Sequence, residues 1–162
     1  TDIITDTATT PNNFGGISDK ETYKFTTGDY TAPLFVPASS TPIHNTSNID
    51  PISDIILQFD SDIQVGSAGN ITIHKTVGDA VVEAISISSL LVTFGTTTVT
   101  INPTARLDDS TSYYILIATD IITDTATTPN NFGGISSKET YKFTTGNYTN
   151  PLFVPASSTP IH

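Results

Sequence analysis

The chain has 162 residues and sets 16 acids against 6 bases, for a net charge of −10 and an isoelectric point near 4.2. So few bases on so acidic a chain give phosphates nothing to grip, which excludes an electrostatically driven nucleic-acid binder. With no cysteine there are no disulfides, thiol nucleophiles or thiolate metal sites. No apolar run nears the roughly 20 residues of a membrane helix, so no membrane insertion is expected within this segment.

Residues Thr1 to His44 return at Thr119 to His162, 118 positions later, changed only at Asp19/Ser137, Asp29/Asn147 and Ala32/Asn150. Packing constraints alone do not converge on such identity, so the chain contains a tandem duplication. It predicts three segments. Residues 1–28 are the C-terminal strands of a preceding, incomplete repeat. Residues 29–146 are one complete repeat, and residues 147–162 are a linker with the first strand of the next. With no methionine even at position 1, the chain is expected to be a window on a longer array. The complete repeat holds 12 acids and 4 bases and is long enough to bury a core without staples.

Taken in order, the repeat opens on PLFVPASSTP, where Pro33, Pro37 and Pro42 permit only an edge strand or an extended lead-in, because proline lacks a ladder donor. Asp54 to Asp60 alternates, with Ile55, Leu57 and Phe59 on one face. Asn70 to Lys75 alternates Ile71 and Ile73 against Thr72 and His74. Val81 to Ile87 puts Val81, Ile85 and Ile87 together, interrupted by Glu83. Leu90 to Phe94 and Thr97 to Ile101 read as a hairpin about Gly95, with Val99 and Ile101 inward. Ser112 to Thr119 carries Tyr113, Ile115 and Ile117 on one face and Tyr114 and Leu116 on the other. Glu139 to Thr145 turns Tyr141 and Phe143 inward and Lys142 outward. Each stretch has period two in β-branched and aromatic residues, with turn chemistry between. No stretch keeps a helical period, and the abundant Thr and Ser disfavour helix interiors. The fold class is therefore all-β, an Ig-like β-sandwich of about seven short strands repeated in tandem.

Three constellations bear on chemistry. Asp120, Asp124, Asn130 and Asn131 cluster in one loop, and their oxygens are candidate ligands for Ca²⁺, which takes six to eight of them. Asn and Asp are equally the residues that satisfy local backbone groups in turns. Asn48, Asp50, Asp54, Asp60 and Asp62 form a second acidic set open to the same two readings. Lys75 and Lys142 are the lysines to weigh for an isopeptide crosslink, and both read as solvated. The histidines are His44, His74 and His162, with no Gly-x-Ser-x-Gly elbow and no visible triad, so no enzyme activity is expected.

Four segments resemble the SbsA-type bacterial Ig-like repeat of surface-layer and adhesin proteins. PASSTPIHNTSNIDPISDIILQFDSDI is similar to its Pro-containing first strand, loop, and strand ending in Phe before an acid. VGSAGNITI is similar to its turn into an Asn-Ile-x-Ile strand. TTTVTINPTARLDDSTSYYILI resembles its strand, Asn-Pro, Leu, and Thr-x-Tyr opening. DIITDTATTPNNFGGISSKETYKFTT resembles its closing segment, though DTATTPNNFGG is longer than the usual Asp-x-x-Gly-Asn turn. The resemblance implies a structural module of extracellular proteins. Independently, Leu107 with Thr111-Ser112-Tyr113 fits the tyrosine corner of Ig-like sandwiches, in which the phenol satisfies a nearby backbone group.

These readings leave three functions to separate. One is a stalk or fibre whose neighbouring copies lie on the same chain. The second is a set of subunits that polymerise head to tail by donating a strand. The third is an adhesin binding ligand through exposed aromatics, for which Tyr30/Tyr148 and Phe14/Phe132 are the candidates. Tyr23 and Phe25, the counterparts of Tyr141 and Phe143, would be bare unless something orders residues 1–28.

Overall fold

The structure, a computed structural model, describes residues 4, 6–10, 12–28 and 31–148. The first strand of a next repeat therefore lies outside the described residues, as does Tyr30. Strands β1 (Ile55–Gln58), β2 (Ile63–Val65), β3 (Asn70–Lys75), β4 (Val81–Ser86) and β5 (Val92–Phe94) are followed by β6 (Thr98–Ile101), β7 (Ser112–Ile117), β8 (Ile122–Asp124) and β9 (Lys142–Thr144). One short 3-10 turn, Pro37–Ser39, precedes them. One layer is the antiparallel sheet β4-β3-β7-β9, and the other is β1-β6-β5, with the ribbon β2-β8 beside them. This is an all-β sandwich.

The alternation that defines the strands also builds the core. Ile55, Leu57 and Phe59 from one layer meet Ile71, Ile73, Tyr113, Ile115 and Phe143 from the other, all at or below 2% exposure. Aromatic edges close the contact. Phe59 meets Phe132 edge-on at 5.2 Å, and Phe35 meets Tyr141 at 5.3 Å. Such pairs are worth about 0.5–1.5 kcal/mol beyond the area they bury.

The proline-rich lead-in does not form a strand of its own. It bridges β1 at Thr41–Ile56 and the residue just past that strand at Phe35–Phe59, and it crosses to the other layer, where Ile49 bridges Thr145 in parallel. The Asn45 N–H donates to Lys142 O at 2.8 Å, and Tyr141 donates its phenol to Pro42 O at 2.7 Å. One segment thus ties both sheets together at their edges, which is why proline is tolerated there.

Val81 departs from the expected pattern. It is 60% exposed, while Ile85 and Ile87 are buried. The β3–β4 register slips at Ile73/His74, so Glu83 pairs with Ile73 and Val81 with His74. A bulge turns every residue beyond it to the other face. Glu83, opposite Ile73 on the edge strand, interrupts the Ile85–Ile87 face as expected, and its carboxylate accepts the Thr104 N–H at 3.0 Å.

The expectation that something orders residues 1–28 as strands is not met within this chain. Their described residues form no named strand, and Tyr23 and Phe25 are 72% and 77% exposed. The physical reason lies in the second copy. Its β8 and β9 already hold β2 and β7, so the first copy finds no free ladder.

Candidate functional site

Strand direction places the two ends of the repeat at opposite poles. The loop that joins β6 to β7 lies beside the start of β1, since Leu107 N–H donates to Pro51 O. The end of β1 is therefore at the far pole, and there the chain comes in. Leu34 N–H donates to the Asp60 carboxylate at 2.8 Å and Asp60 N–H returns to Leu34 O at 3.1 Å. A depression of about 420 Å³ lies alongside, lined by Thr31, Asp60, Ser61, Asp62, Asp124, Thr125 and Ala126.

β9 runs the other way and delivers the chain to the β6–β7 pole. Gly146 N–H donates to Ile49 O at 2.8 Å, and Ser110 N–H donates to Gly146 O at 3.1 Å. Tyr148 continues the attachment, its N–H on the Asp109 carboxylate at 3.3 Å and its phenol donating to Asn48 O at 3.0 Å. Arg106 pairs with Asp109 at 2.5 Å; that hydrogen bond, more than any other cause, holds the Asp109 carboxyl below its usual range. The departing chain is thus clamped, not loosely tethered.

Tyr113 pins the same pole. Its ring is fully buried, and its phenol oxygen accepts the Asp108 N–H at 2.8 Å. Burial pushes this phenol's pKa up. Leu107, at 4% exposure, packs beneath the turn. Thr145 completes it, donating its hydroxyl to Asp108 O and accepting the Thr111 N–H. Tyr141, Phe143 and Phe59 sit in the core, as described above.

The candidate calcium loop is assembled differently. Asp124 is buried on β8, and its Oδ1 accepts the N–H of Asn130 at 2.8 Å and of Ala126 at 3.2 Å. Its Oδ2 takes the Asn130 side-chain amide at 2.6 Å. The Asn130 amide bond comes first among the causes that lower the Asp124 pKa. The carboxylate thus organises a turn with N–H donors, where a cation would need its lone pairs. Asp120 stands exposed in a left-handed turn at φ 65°, and Asn131 is exposed in a bridge to Thr123. Among the described residues no group of three or more His, Asp or Glu side chains is placed to hold a metal ion, so calcium is not supported. In the second acidic set, Asp50 likewise accepts a backbone N–H, from Ile52.

The remaining candidates lie in ordinary surroundings. The four bases of residues 29–146 each meet an acid: Lys75 with Asp108, Arg106 with Asp109, Lys138 with Asp79, Lys142 with Glu139. His74 stacks on Tyr114 at 4.8 Å. Phe132, a candidate adhesin aromatic, is only 7% exposed and belongs to the core. Sequence reasoning missed β2 and β8. Ile121, Ile122, Thr123 and Asp124 are all buried, so no alternation announces the strand.

Fold and poles together define an Ig-like sandwich module. Residues 29–145 match the bacterial Ig-like domain family, and the chain belongs to it. Domains of this family are usually extracellular or surface-exposed structural domains. No curated protein matches the chain. Among solved structures, CopC from Methylosinus trichosporium OB3b is similar with a TM-score of 0.48 at 13% identity, over 73% of this chain and 97% of that one.

Proposed function

We propose that residues 29–146 form one spacer brick of an extracellular stalk or fibre on a bacterial surface, of the SbsA-type repeat, joined end to end to copies of itself. The observation that carries this reading is the placement of Leu34 and Gly146 at opposite poles, each clamped by backbone bonds. Chain arriving at one pole and leaving from the other extends an array by a full module length per repeat. The internal duplication at 118 positions supplies the covalent neighbour. The module acts by reach and cohesion, and its partners are its own copies. Burial of Phe132 withdraws one aromatic from any ligand-binding face, so the adhesin reading gains nothing here.

Pulling on a chain of several joined repeats tests the proposal. Each unfolding event should release roughly 350–400 Å, the contour of about 118 residues at 3.3–3.6 Å each less the folded length. A regular sawtooth at that spacing is the expected record. Events of scattered size, or extension without force peaks, would refute it.

A further inference from the structure

The chain itself sets how far apart two successive repeats can stand. At the exit pole, beside the β6–β7 loop, Tyr148 is fastened by its N–H to the Asp109 carboxylate at 3.3 Å and by its phenol to Asn48 O at 3.0 Å. Its ring lies flush on the backbone, since a Cβ added at Gly146 would come 2.5 Å from Tyr148 Cε2. At the entry pole, Leu34 is fastened to Asp60 by bonds in both directions, at 2.8 and 3.1 Å. Thr31 lines the depression beside it. The offset of 118 makes Thr149 the counterpart of Thr31, and Thr149 follows Tyr148 directly. In an array, one residue therefore holds the exit pole of its own repeat, and the very next belongs to the depression of the repeat that follows. Consecutive Cα atoms are about 3.8 Å apart, so the two poles abut. Even the four steps from Tyr148 to the counterpart of Leu34 reach at most about 14 Å.

The two surfaces brought together differ in charge. Asp60, Asp62 and Asp124 line the entry depression, and no base does. Asp124 is engaged by its own turn, whereas Asp60 holds Leu34 through Oδ1 and Asp62 is exposed. On the exit pole, Arg106 stands beside the departing chain. It bonds Asp109 Oδ1 at 2.5 Å, the same oxygen that accepts the Tyr148 N–H. A guanidinium carries five N–H donors; Asp109 and Leu107 O take two of them, and the side chain is 42% exposed. Ile52, at the same pole and 71% exposed, adds an apolar surface to cover.

We propose that the entry depression is the seat for the exit pole of the preceding repeat, with Arg106 of that repeat set against Asp60 and Asp62 of the next. The array is then a stiff rod and not a string of hinged beads. The occupant is a second copy of the repeat on the same chain, so the inference deepens the end-to-end stalk and rests on it. Two observations select that occupant. The linker leaves no room between the poles for anything larger, and the depression lacks the base that Arg106 supplies. Carboxylates gathered without a base make a field that draws a cation from outside, and an arginine meets a carboxylate through two parallel N–H···O bonds.

Docking of this kind costs little ordering, because both ends of the linker are already clamped to their modules. The short tether also holds the poles at an effective concentration on the order of 1 mM or above, so a weak contact suffices to close the junction. Its ionic part is exposed and screened by salt. Losing one such pair lowers the docked population by up to about fivefold.

Pulsed electron paramagnetic resonance tests the seat on the chain extended through a second complete repeat. The sequence has no cysteine, so Val77→Cys in the first repeat and Ala68→Cys in the second take spin labels without background. Both positions are exposed and lie outside the depression. A docked junction should give one narrow distance distribution. Arg106→Gln in the first repeat should broaden it, and the same change in the second repeat should not. Asp62→Arg should act in the opposite order, broadening the distribution from the second repeat and leaving it unchanged from the first. That dependence on position separates a contact between repeats from damage within one. A distribution already broad in the parent would overturn the proposal, as would variants that act equally from either repeat or from neither. A broad distribution beside a regular sawtooth under force would remove the seat and leave the stalk standing. Scattered force peaks would remove the stalk itself, whatever the labels show.

Discussion

Phe25 and Phe143 offer a matched pair of perturbations, because the same residue in the same local sequence is 77% exposed in one copy and 2% in the other. The Phe143 ring packs between Tyr113 at 6.1 Å and Tyr141 at 6.3 Å. Truncating it leaves a cavity between the layers that neither neighbour can fill. Phe→Ala in such a site costs about 3–5 kcal/mol. For a module of this size each kcal/mol lowers the melting temperature by roughly 3–5 °C. Phe143→Ala should therefore melt about 10–20 °C below the parent, whereas Phe25→Ala should stay within about 0.5 kcal/mol. The assay is thermal unfolding followed by circular dichroism. Equal losses at the two sites would mean that residues 1–28 belong to the folded core of residues 29–146, and would refute the division of the chain into one closed repeat and a segment outside it.

Burial holds the Tyr141 phenol far above its ordinary pKa. The folded state thus favours the neutral form, and this stability is complete below about pH 10 and lost as pH rises above it. Tyr141→Phe, which also forfeits the bond to Pro42 O, should cost about 1–2 kcal/mol at pH 7 and flatten the alkaline limb; parallel losses in both chains from pH 8 to 11 would refute this. Asp124 is shifted the other way, its carboxyl lowered first by the Asn130 amide. Its contribution is present above about pH 4 and lost as pH falls through the lowered value. Asp124→Ala should lower the melting temperature and weaken its acid dependence, Asp6→Ala should do neither, and excess calcium or EDTA should leave the parent unmoved; a calcium-dependent rise would contradict the assignment of that carboxylate to a turn. A Cβ on Gly134, at φ 79°, would lie 2.5 Å from Ile117 O, whereas one on Gly16 at φ 81° meets nothing within 4 Å. Gly134→Ala should cost upwards of about 2 kcal/mol, and Gly16→Ala should leave the same transition unchanged.

The core strands could be read from the sequence because each of their faces meets a different environment. Ile55, Leu57 and Phe59, or Ile71 and Ile73, print the sandwich directly as period two. The same logic fails where both faces are covered, as at Ile121–Asp124, and where a bulge changes the phase, as before Glu83. The Tyr113 corner was legible because its parts lie within a few residues of one another. The turn around Asp124 was not, since a carboxylate near two asparagines has the same composition whether its partners are N–H groups or a cation. Only the bond directions separate those cases. What no window of sequence reveals is which of two nearly identical segments holds β2 and β7.

The most direct measurement is small-angle scattering from a chain carrying two complete repeats in place of one. Joined pole to pole, the second module should lengthen the particle by about 40 Å, the axial span of its strands and loops. A maximum dimension that grows by less than about 10 Å would mean that the modules fold back side by side, and the end-to-end brick would be wrong.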